Sequence, residues 1–344
     1  MKILFIADYY YYKNANGKTS HNFMNYISGK GFNHNIKIIY TDYNISDAYN
    51  EIIIYNPDII IFFEINAFQS QTQNFKFVFD LNKKVFVFLD DSYYITSLTS
   101  KCECINYCDG IIFWYRNDRI LNSYKRKFPN KITLNFDSRY VNTEIYRDYK
   151  LEKKYDIFIY GNRNFLYNYK NEELEPIQNY IKNYEYKNNI IINDKINFYP
   201  LRSKLETILT KNSHKYSLVF LPESTIDNSQ IVNEDLSKLI NQSHLTVACS
   251  SIADVLLHKH LEIPASKSVI LGSYPTDYKD LFEGNIVEVN EFMSEEEIIT
   301  IIDNALSNKD KLNEMSNRLY AKIHNEHNLQ KAQEDFNNLI SSLI

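Results

Sequence analysis

Leu245-Thr-Val-Ala-Cys-Ser-Ser-Ile-Ala-Asp254-Val-Leu-Leu-His258-Lys259-His260-Leu-Glu262-Ile-Pro264-Ala-Ser266 is the stretch from which the fold can be read. It opens with an apolar run, Leu245–Ala248, with no alternation between apolar and polar positions. Such a run suits a strand covered on both faces. Two serines follow, then a helical pattern over Val255–Leu261 that ends near Pro264. A second two-sided strand, Ser268–Leu271, comes next. Strand, helix and strand in this order make a β-α-β unit, which implies a parallel sheet.

The same pattern extends in both directions. Strands are expected at Lys2–Ala7, Ile36–Tyr40, Ile59–Phe63, Val85–Leu89, Gly110–Trp114 and Lys131–Leu134, with helices at Thr19–Ser28 and Ala48–Tyr55. A charged stretch, Tyr146-Arg-Asp-Tyr-Lys-Leu-Glu-Lys-Lys154, then separates a second series. Its strands are Tyr155–Tyr160, Lys215–Leu221, Leu245–Ala248, Ser268–Leu271 and Ile286–Val289. Its helices are Glu173–Tyr184, Lys204–Lys211, Asp235–Asn241 and Val255–Leu261, and the tail is helical over Ser294–Leu306, Lys309–Ile323 and Leu329–Leu343. The expectation is an α/β protein of two Rossmann-like β-α-β domains facing across a cleft, at residues 1–150 and 151–327. A C-terminal helix at 328–344 is expected to pack back on the first domain.

Composition narrows the function classes. The 344 residues carry 38 basic and 43 acidic side chains, a net charge of −5, which argues against nucleic acid as a partner. The longest apolar runs fall far short of the roughly 20 residues of a membrane span. Asp8 interrupts the first apolar run, so no signal peptide is expected. Four cysteines, Cys102, Cys104, Cys108 and Cys249, make no disulfide framework in a chain of this length. These features read as a soluble, cytoplasmic protein. Glycine occurs only 7 times while tyrosine reaches 29. Asn and Ser are therefore expected at positions where other chains use glycine, since both cap helices and Asn tolerates positive φ.

Ligands of open α/β sheets bind beyond the carboxyl ends of the strands, and four such loops carry polar groups. Lys13-Asn-Ala-Asn-Gly17-Lys18-Thr-Ser-His21 has a glycine turn before a helix, a natural anion site. Its Gly17-Lys18-Thr19 also matches the tail of a phosphate-binding loop, and Val85–Asp91 imitates the acid-ended strand that accompanies one. That reading would make the chain a nucleotide kinase or NTPase, although Tyr12 stands where such a loop needs its first glycine. Leu89-Asp90-Asp91-Ser92 ends a buried strand and offers carboxylates, or alternatively a helix N-cap. Tyr160-Gly161-Asn162-Arg163 pairs an opening glycine with a guanidinium fork suited to phosphate oxygens. In Ser250–Ser266, Asp254 and Glu262 are eight apart, about two helical turns. Glu262 can accept two hydrogen bonds from a ribose diol, and Lys259, one turn earlier, can meet phosphate. His258 and His260 would point about 200° apart on a helix, so they make no metal clip. The cysteines also lack the spacing of a zinc site.

Three stretches bear a family resemblance. Asn135-Phe-Asp-Ser-Arg-Tyr-Val-Asn-Thr-Glu-Ile-Tyr146 followed by Lys154-Tyr-Asp-Ile-Phe-Ile-Tyr-Gly161, then Lys259-His-Leu-Glu-Ile-Pro-Ala265, and finally Glu326-His327-Asn328, together resemble GT-B glycosyltransferases. Within them the likeness is to the group related to the spore-maturation protein CgeB, with the E-x7-E pattern of family-4-type enzymes. The resemblance covers residues 135–344. It implies transfer of a sugar from a nucleotide-diphosphate donor to a hydroxyl of a glycan or other acceptor, with retention and with no metal or cofactor. Carried over, Glu262 holds the donor ribose and Lys259 the diphosphate. Asp254 stands at the first position of the E-x7-E pattern, near the donor sugar. Asp91 lies near the place of a family histidine that has no counterpart here. Gly17, Lys18, His21, Gly161, Asn162, Arg163, Ser250 and Ser251 complete the expected substrate contacts.

Overall fold

The structure, a computed structural model, describes residues 1–7, 34–40, 44–63, 75–89, 98–114, 116–137, 139–163, 166–168, 178–180, 182–183, 195–221 and 233–343. The chain divides into two compact units. One gathers Met1–Ser138 and Gln330–Ile344, and the other Arg139–Lys170 and Pro176–Leu329.

The first unit is a six-stranded sheet of β1 (Lys2–Ala7), β2 (Asn35–Tyr40), β3 (Ile59–Phe63), β4 (Lys84–Leu89), β5 (Gly110–Phe113) and β6 (Ile132–Asn135), ordered β2-β1-β3-β4-β5-β6. All neighbours are parallel. Every residue of β3 is buried, as expected when layers cover both faces of a parallel sheet. Helices α1 (Ile45–Tyr55), α2 (Leu98–Tyr107) and α3 (Asp118–Lys127) accompany these strands.

Asparagine takes over the work of the scarce glycines here. Asn44 and Asn117 cap the amino ends of α1 and α3 with their side chains. Asn56 closes α1 in the left-handed conformation at φ 48°, with its N–H on the Ile52 carbonyl, a position usually given to glycine.

The second unit holds a five-stranded parallel sheet in the order β10-β7-β11-β12-β13. Its strands are β7 (Tyr155–Ile159), β10 (Leu218–Phe220), β11 (Ser243–Ala248), β12 (Val269–Gly272) and β13 (Val287–Glu288). An antiparallel pair, β8 (Leu166–Asn168) with β9 (Lys195–Asn197), stands apart. Helices α4 (Pro200–Lys211), α5 (Asn233–Asn241), α6 (Lys259–Ala265), α7 (Glu295–Ser307) and α8 (Lys309–Glu326) cover the sheet.

Alternate residues of one strand feed two cores. Ile157 and Ile159 pack with α4 and α7, whereas Phe158 packs with α5 and α6. From β7 the chain runs to β10 on one side and β11 on the other, so β7 is a point where the winding reverses. Both units are Rossmann-like, as the strand pattern predicts.

Helix α9 (Leu329–Ser341) belongs to the first unit, where Phe336 meets Phe5 at 6.0 Å and Phe136 at 5.6 Å between ring centroids.

Helix α6 begins later than expected, whereas α1 and α4 begin earlier, at Ile45 and Pro200. The sequence pattern places α6 at Val255–Leu261, but it begins at Lys259. Asp254 has φ 53°, which stops helix propagation. Val255 and Leu256 are buried as loop residues, and the Leu257 N–H donates to His260 Nδ1 at 3.1 Å. Their apolar character reports burial, not helical phase.

Candidate functional site

The carboxyl end of β7, at the reversal of winding, is where an open α/β sheet places a ligand. The strand ends at Ile159, and the Tyr160 side chain continues into the core on the α6 face. Its hydroxyl donates to Glu262 Oε2 at 3.0 Å. Burial, followed by the Glu262 charge, raises the phenol well above its ordinary range, so it remains a donor. Glu262 is itself 4% exposed.

Gly161 comes next, at φ +78°. A Cβ there would lie 2.5 Å from Lys259 Nζ and 3.8 Å from Arg202 Nη1. A lysine amine and a guanidinium therefore converge where the chain can afford no side chain. Lys259 donates to the Tyr160 carbonyl and stands 3.8 Å from the centre of the Tyr160 ring. Burial, then the neighbouring Arg202 charge, pushes its ammonium well below the ordinary lysine range.

Arg202 enters from the first turn of α4. Its guanidinium covers the Tyr199 ring at 4.0 Å, and Nη1 donates to the Asn162 carbonyl. It is 2% exposed, and its Nε and Nη2 meet no hydrogen-bond partner among the described residues. Buried donors left this way are uncommon, and here they lie beside the Lys259 amine. The arrangement is suited to an anion.

Arg163, expected as a phosphate fork, is engaged by the protein itself. Its Nη1 donates to the carbonyls of Leu221 at 2.9 Å and Gly161 at 3.3 Å, and Nε pairs with Glu206 at 2.7 Å. The Asn162 carbonyl is held by Arg202, and the Arg163 carbonyl by Asn197 and Ser203. Side chains thus pin every carbonyl of the loop 161–163. Arg163 acts on the loop itself.

The structure brings together Gly161, Asn162, Lys259 and Glu262 of the expected set, and adds Tyr160 and Arg202. Ser250 and Ser251 lie just past the end of β11. The Ser250 N–H donates to Ser273 Oγ at 3.2 Å, while its own buried hydroxyl lacks a partner among the described residues. At the end of β12, a Cβ on Gly272 would lie 1.7 Å from the Ala248 carbonyl, so only glycine permits these two strand ends to approach.

Asp254 does not share a helical flank with Glu262. It lies in the loop before α6, and its Oδ1 accepts from the Thr276 N–H at 3.1 Å. Gly17, Lys18, His21 and Asp91 lie outside the described residues, as does the phosphate-loop alternative built on Gly17 and Lys18.

The two histidines part company. His260 is fully buried, accepts from the Leu257 N–H and donates from Nε2 to the Ser273 carbonyl at 3.0 Å. Burial pulls it down to about 4, leaving a neutral strut between α6 and the loop after β12. His258 bonds Arg139 instead. Among the described residues no group of three His, Cys, Asp or Glu is placed to hold a metal ion.

Arg202 was absent from the sequence expectation, although a signal was there. It lies in phase with Leu205 and Leu209 on the buried stripe of α4. A charged residue on such a stripe, two places after Pro200 at the helix start, is a candidate for binding.

Residues 213–337 match the Glycosyl transferase-like family model. That segment contains Ser250, Ser251, Asp254, Lys259 and Glu262, and leaves out Gly161 and Arg202.

Two solved structures share the fold along nearly the whole chain. Sucrose-phosphate synthase from Thermosynechococcus elongatus superposes with a TM-score of 0.59 at 8% identity, over 100% of this chain and 99% of that one. Anabaena HepE, solved in complex with UDP and glucose, gives 0.59 at 10% identity, over 99% of this chain and 100% of that one. A search of curated proteins gives no match. Residues 213–337 thus resemble the glycosyl transferase-like family, and the two Rossmann-like units share the fold of these solved structures.

Proposed function

We propose that this protein transfers a sugar from a nucleoside-diphosphate sugar to a hydroxyl of a glycan or other acceptor. The observation that carries this reading is the meeting of Lys259 and Arg202 at Gly161, with the buried Glu262 carboxylate one turn along α6. Cleavage of the bond between the anomeric carbon and the phosphate oxygen leaves its electron pair on the diphosphate. Lys259 and Arg202 supply positive charge where that charge develops, so the binding site needs no divalent ion. Glu262, held by the Tyr160 hydroxyl, accepts from the ribose diol. The acceptor hydroxyl bonds to the anomeric carbon on the face the diphosphate leaves and passes its proton to the departing phosphate oxygen, so the configuration is retained.

HepE was solved with UDP-glucose as well as with UDP, which supports a nucleotide-sugar donor and makes UDP the first probe. Among the described residues no helix is long and apolar enough to cross a membrane. Cys104, Cys108 and Cys249 are buried and form no disulfide, which supports the cytoplasm as the location.

The test is calorimetric titration with UDP, ADP, GDP and dTDP and their glucose conjugates, followed by assay of released nucleotide with mixed glycan acceptors. One nucleoside diphosphate should bind without added metal. Glu262→Gln should weaken it about 10-fold or more, the loss of a hydrogen bond to a charged group. A wild-type chain that binds none of the panel would remove the proposal. Tight binding with no turnover on any acceptor would leave a nucleotide-sugar-binding protein, a reading in keeping with the engagement of Asp254 at Thr276.

A further inference from the structure

Helix α6 carries both Lys259 and Glu262, yet it starts without a side-chain cap bond. The helices α1, α3, α7 and α8 all have one. His258 occupies the cap position, and its carbonyl accepts from the N–H groups of Leu261 and Glu262, each at 2.9 Å. Its imidazole is engaged from elsewhere, since Arg139 Nη1 donates to His258 Nε2 at 2.9 Å.

Arg139 is the first residue of the second unit and is 3% exposed. Its backbone is fastened in turn. His327 Nδ1 donates to the Arg139 carbonyl at 3.0 Å, and the His327 carbonyl accepts from the Val141 N–H at 2.8 Å. Val141 and Asn328 form an isolated parallel bridge. The two segments where the chain passes between its units are therefore laced together, and from that lacing one guanidinium reaches the start of α6.

We propose that Arg139, anchored by His327, is a positioning residue for the donor site: it holds His258, and through it sets where α6 presents Lys259 and Glu262. The inference rests on the donor site proposed above. It also gives a task to the Glu326-His327-Asn328 segment, which the proposed chemistry leaves unused. The chain of contacts is short. Arg139 fixes the His258 ring, the His258 carbonyl holds the N–H of Glu262, and Lys259 is the next residue along.

The experiment compares the full chain with Arg139→Gln, Arg139→Lys, His258→Ala and the Arg139→Gln/His258→Ala double variant, with Lys153→Met as a control for lost packing. UDP and inorganic pyrophosphate are titrated, melting temperatures are recorded, and donor KM and kcat are measured where turnover is found. Arg139→Gln and His258→Ala should each weaken UDP and pyrophosphate about 10-fold and raise donor KM more than they lower kcat. The double variant should lose no more than either single change, the non-additivity of one shared path. Arg139→Lys should recover part of the loss, and Lys153→Met should lower the melting temperature without touching affinity.

Unchanged affinity in Arg139→Gln despite a lower melting temperature would overturn the proposal, as would losses that multiply in the double variant. Should Arg139→Gln fail to fold, His258→Ala alone decides in the same terms. If the wild type binds pyrophosphate but no nucleotide, the donor reading fails, while the pyrophosphate series still tests the positioning. If it binds neither, both fall.

Discussion

Lys153 and Lys259 sit at opposite ends of the same five-stranded sheet, and burial pushes both ammonium groups down. Lys153 falls to about 8, and Lys259 lies well below the ordinary lysine range. Their surroundings separate them. Lys153 donates to the carbonyls of Ser243 at 2.8 Å and Lys267 at 2.6 Å, tying the amino ends of β11 and β12 together. Lys259 has one carbonyl and a guanidinium, Arg202, whose remaining donors lack partners among the described residues. A buried lysine that is mostly satisfied by carbonyls is a pin. One set beside an unsatisfied guanidinium is a socket for negative charge.

The widest separation should come from deleting each amine. Lys259→Ala should weaken UDP or pyrophosphate by about 1.5–3 kcal/mol, the worth of a hydrogen bond to a charged group, which is roughly 10- to 150-fold. Titration calorimetry on the full chain measures it. Comparable losses of affinity from Lys153→Ala would erase the distinction.

A smaller effect follows from protonation. A bound phosphate favours the charged form of Lys259, whereas the empty site disfavours it, so binding takes up a proton. Affinity should therefore fall as pH rises above the depressed value of the empty site, by at most about tenfold per pH unit for one proton. The observed heat should depend on the ionisation heat of the buffer. Lys259→Arg, which keeps its charge throughout, should abolish both dependences. Identical pH profiles for wild type and Lys259→Arg would show that the lysine is already charged in the empty site.

The two lysines also show what the sequence could and could not reveal. The strands were legible because runs such as Ile59–Phe63 are apolar on both faces, and only a doubly covered sheet accommodates that. The closeness of Glu262 and Lys259 was legible from their spacing, since a turn of helix separates them wherever the helix begins. The place of Asp254 was not, because its positive φ ends the helical phase on which the spacing argument depended. Arg202 was missed for a different reason: almost forty residues separate it from Asn162, and only the fold makes them neighbours. The engagement of Arg163 was not legible, because sequence shows a guanidinium in a loop but not the Leu221 carbonyl and Glu206 carboxylate that meet it. Charge is visible in sequence, whereas its satisfaction is a tertiary property.

On ligand affinity, the smallest change expected is none at all, for Lys153→Met. The cost should appear in stability. The variant keeps the aliphatic stem and removes the charge, leaving the Ser243 and Lys267 carbonyls without this donor, at about 1–3 kcal/mol. Its pH dependence carries a definite sign. Folded Lys153 titrates at about 8, against an ordinary 10.5. Between these values the unfolded chain binds more protons, so wild-type stability should climb as pH rises through that window. Below about 8 both states are charged, and above the ordinary value both are neutral, so the contribution flattens outside it. Lys259 shifts in the same direction, and so the informative quantity is the difference between wild type and Lys153→Met. Denaturant melts at pH 7, 8, 9 and 10 should show that difference growing across the window while UDP affinity stays equal in the two proteins. A difference independent of pH would mean that Lys153 is charged in the fold, and its likeness to Lys259 would then end at burial.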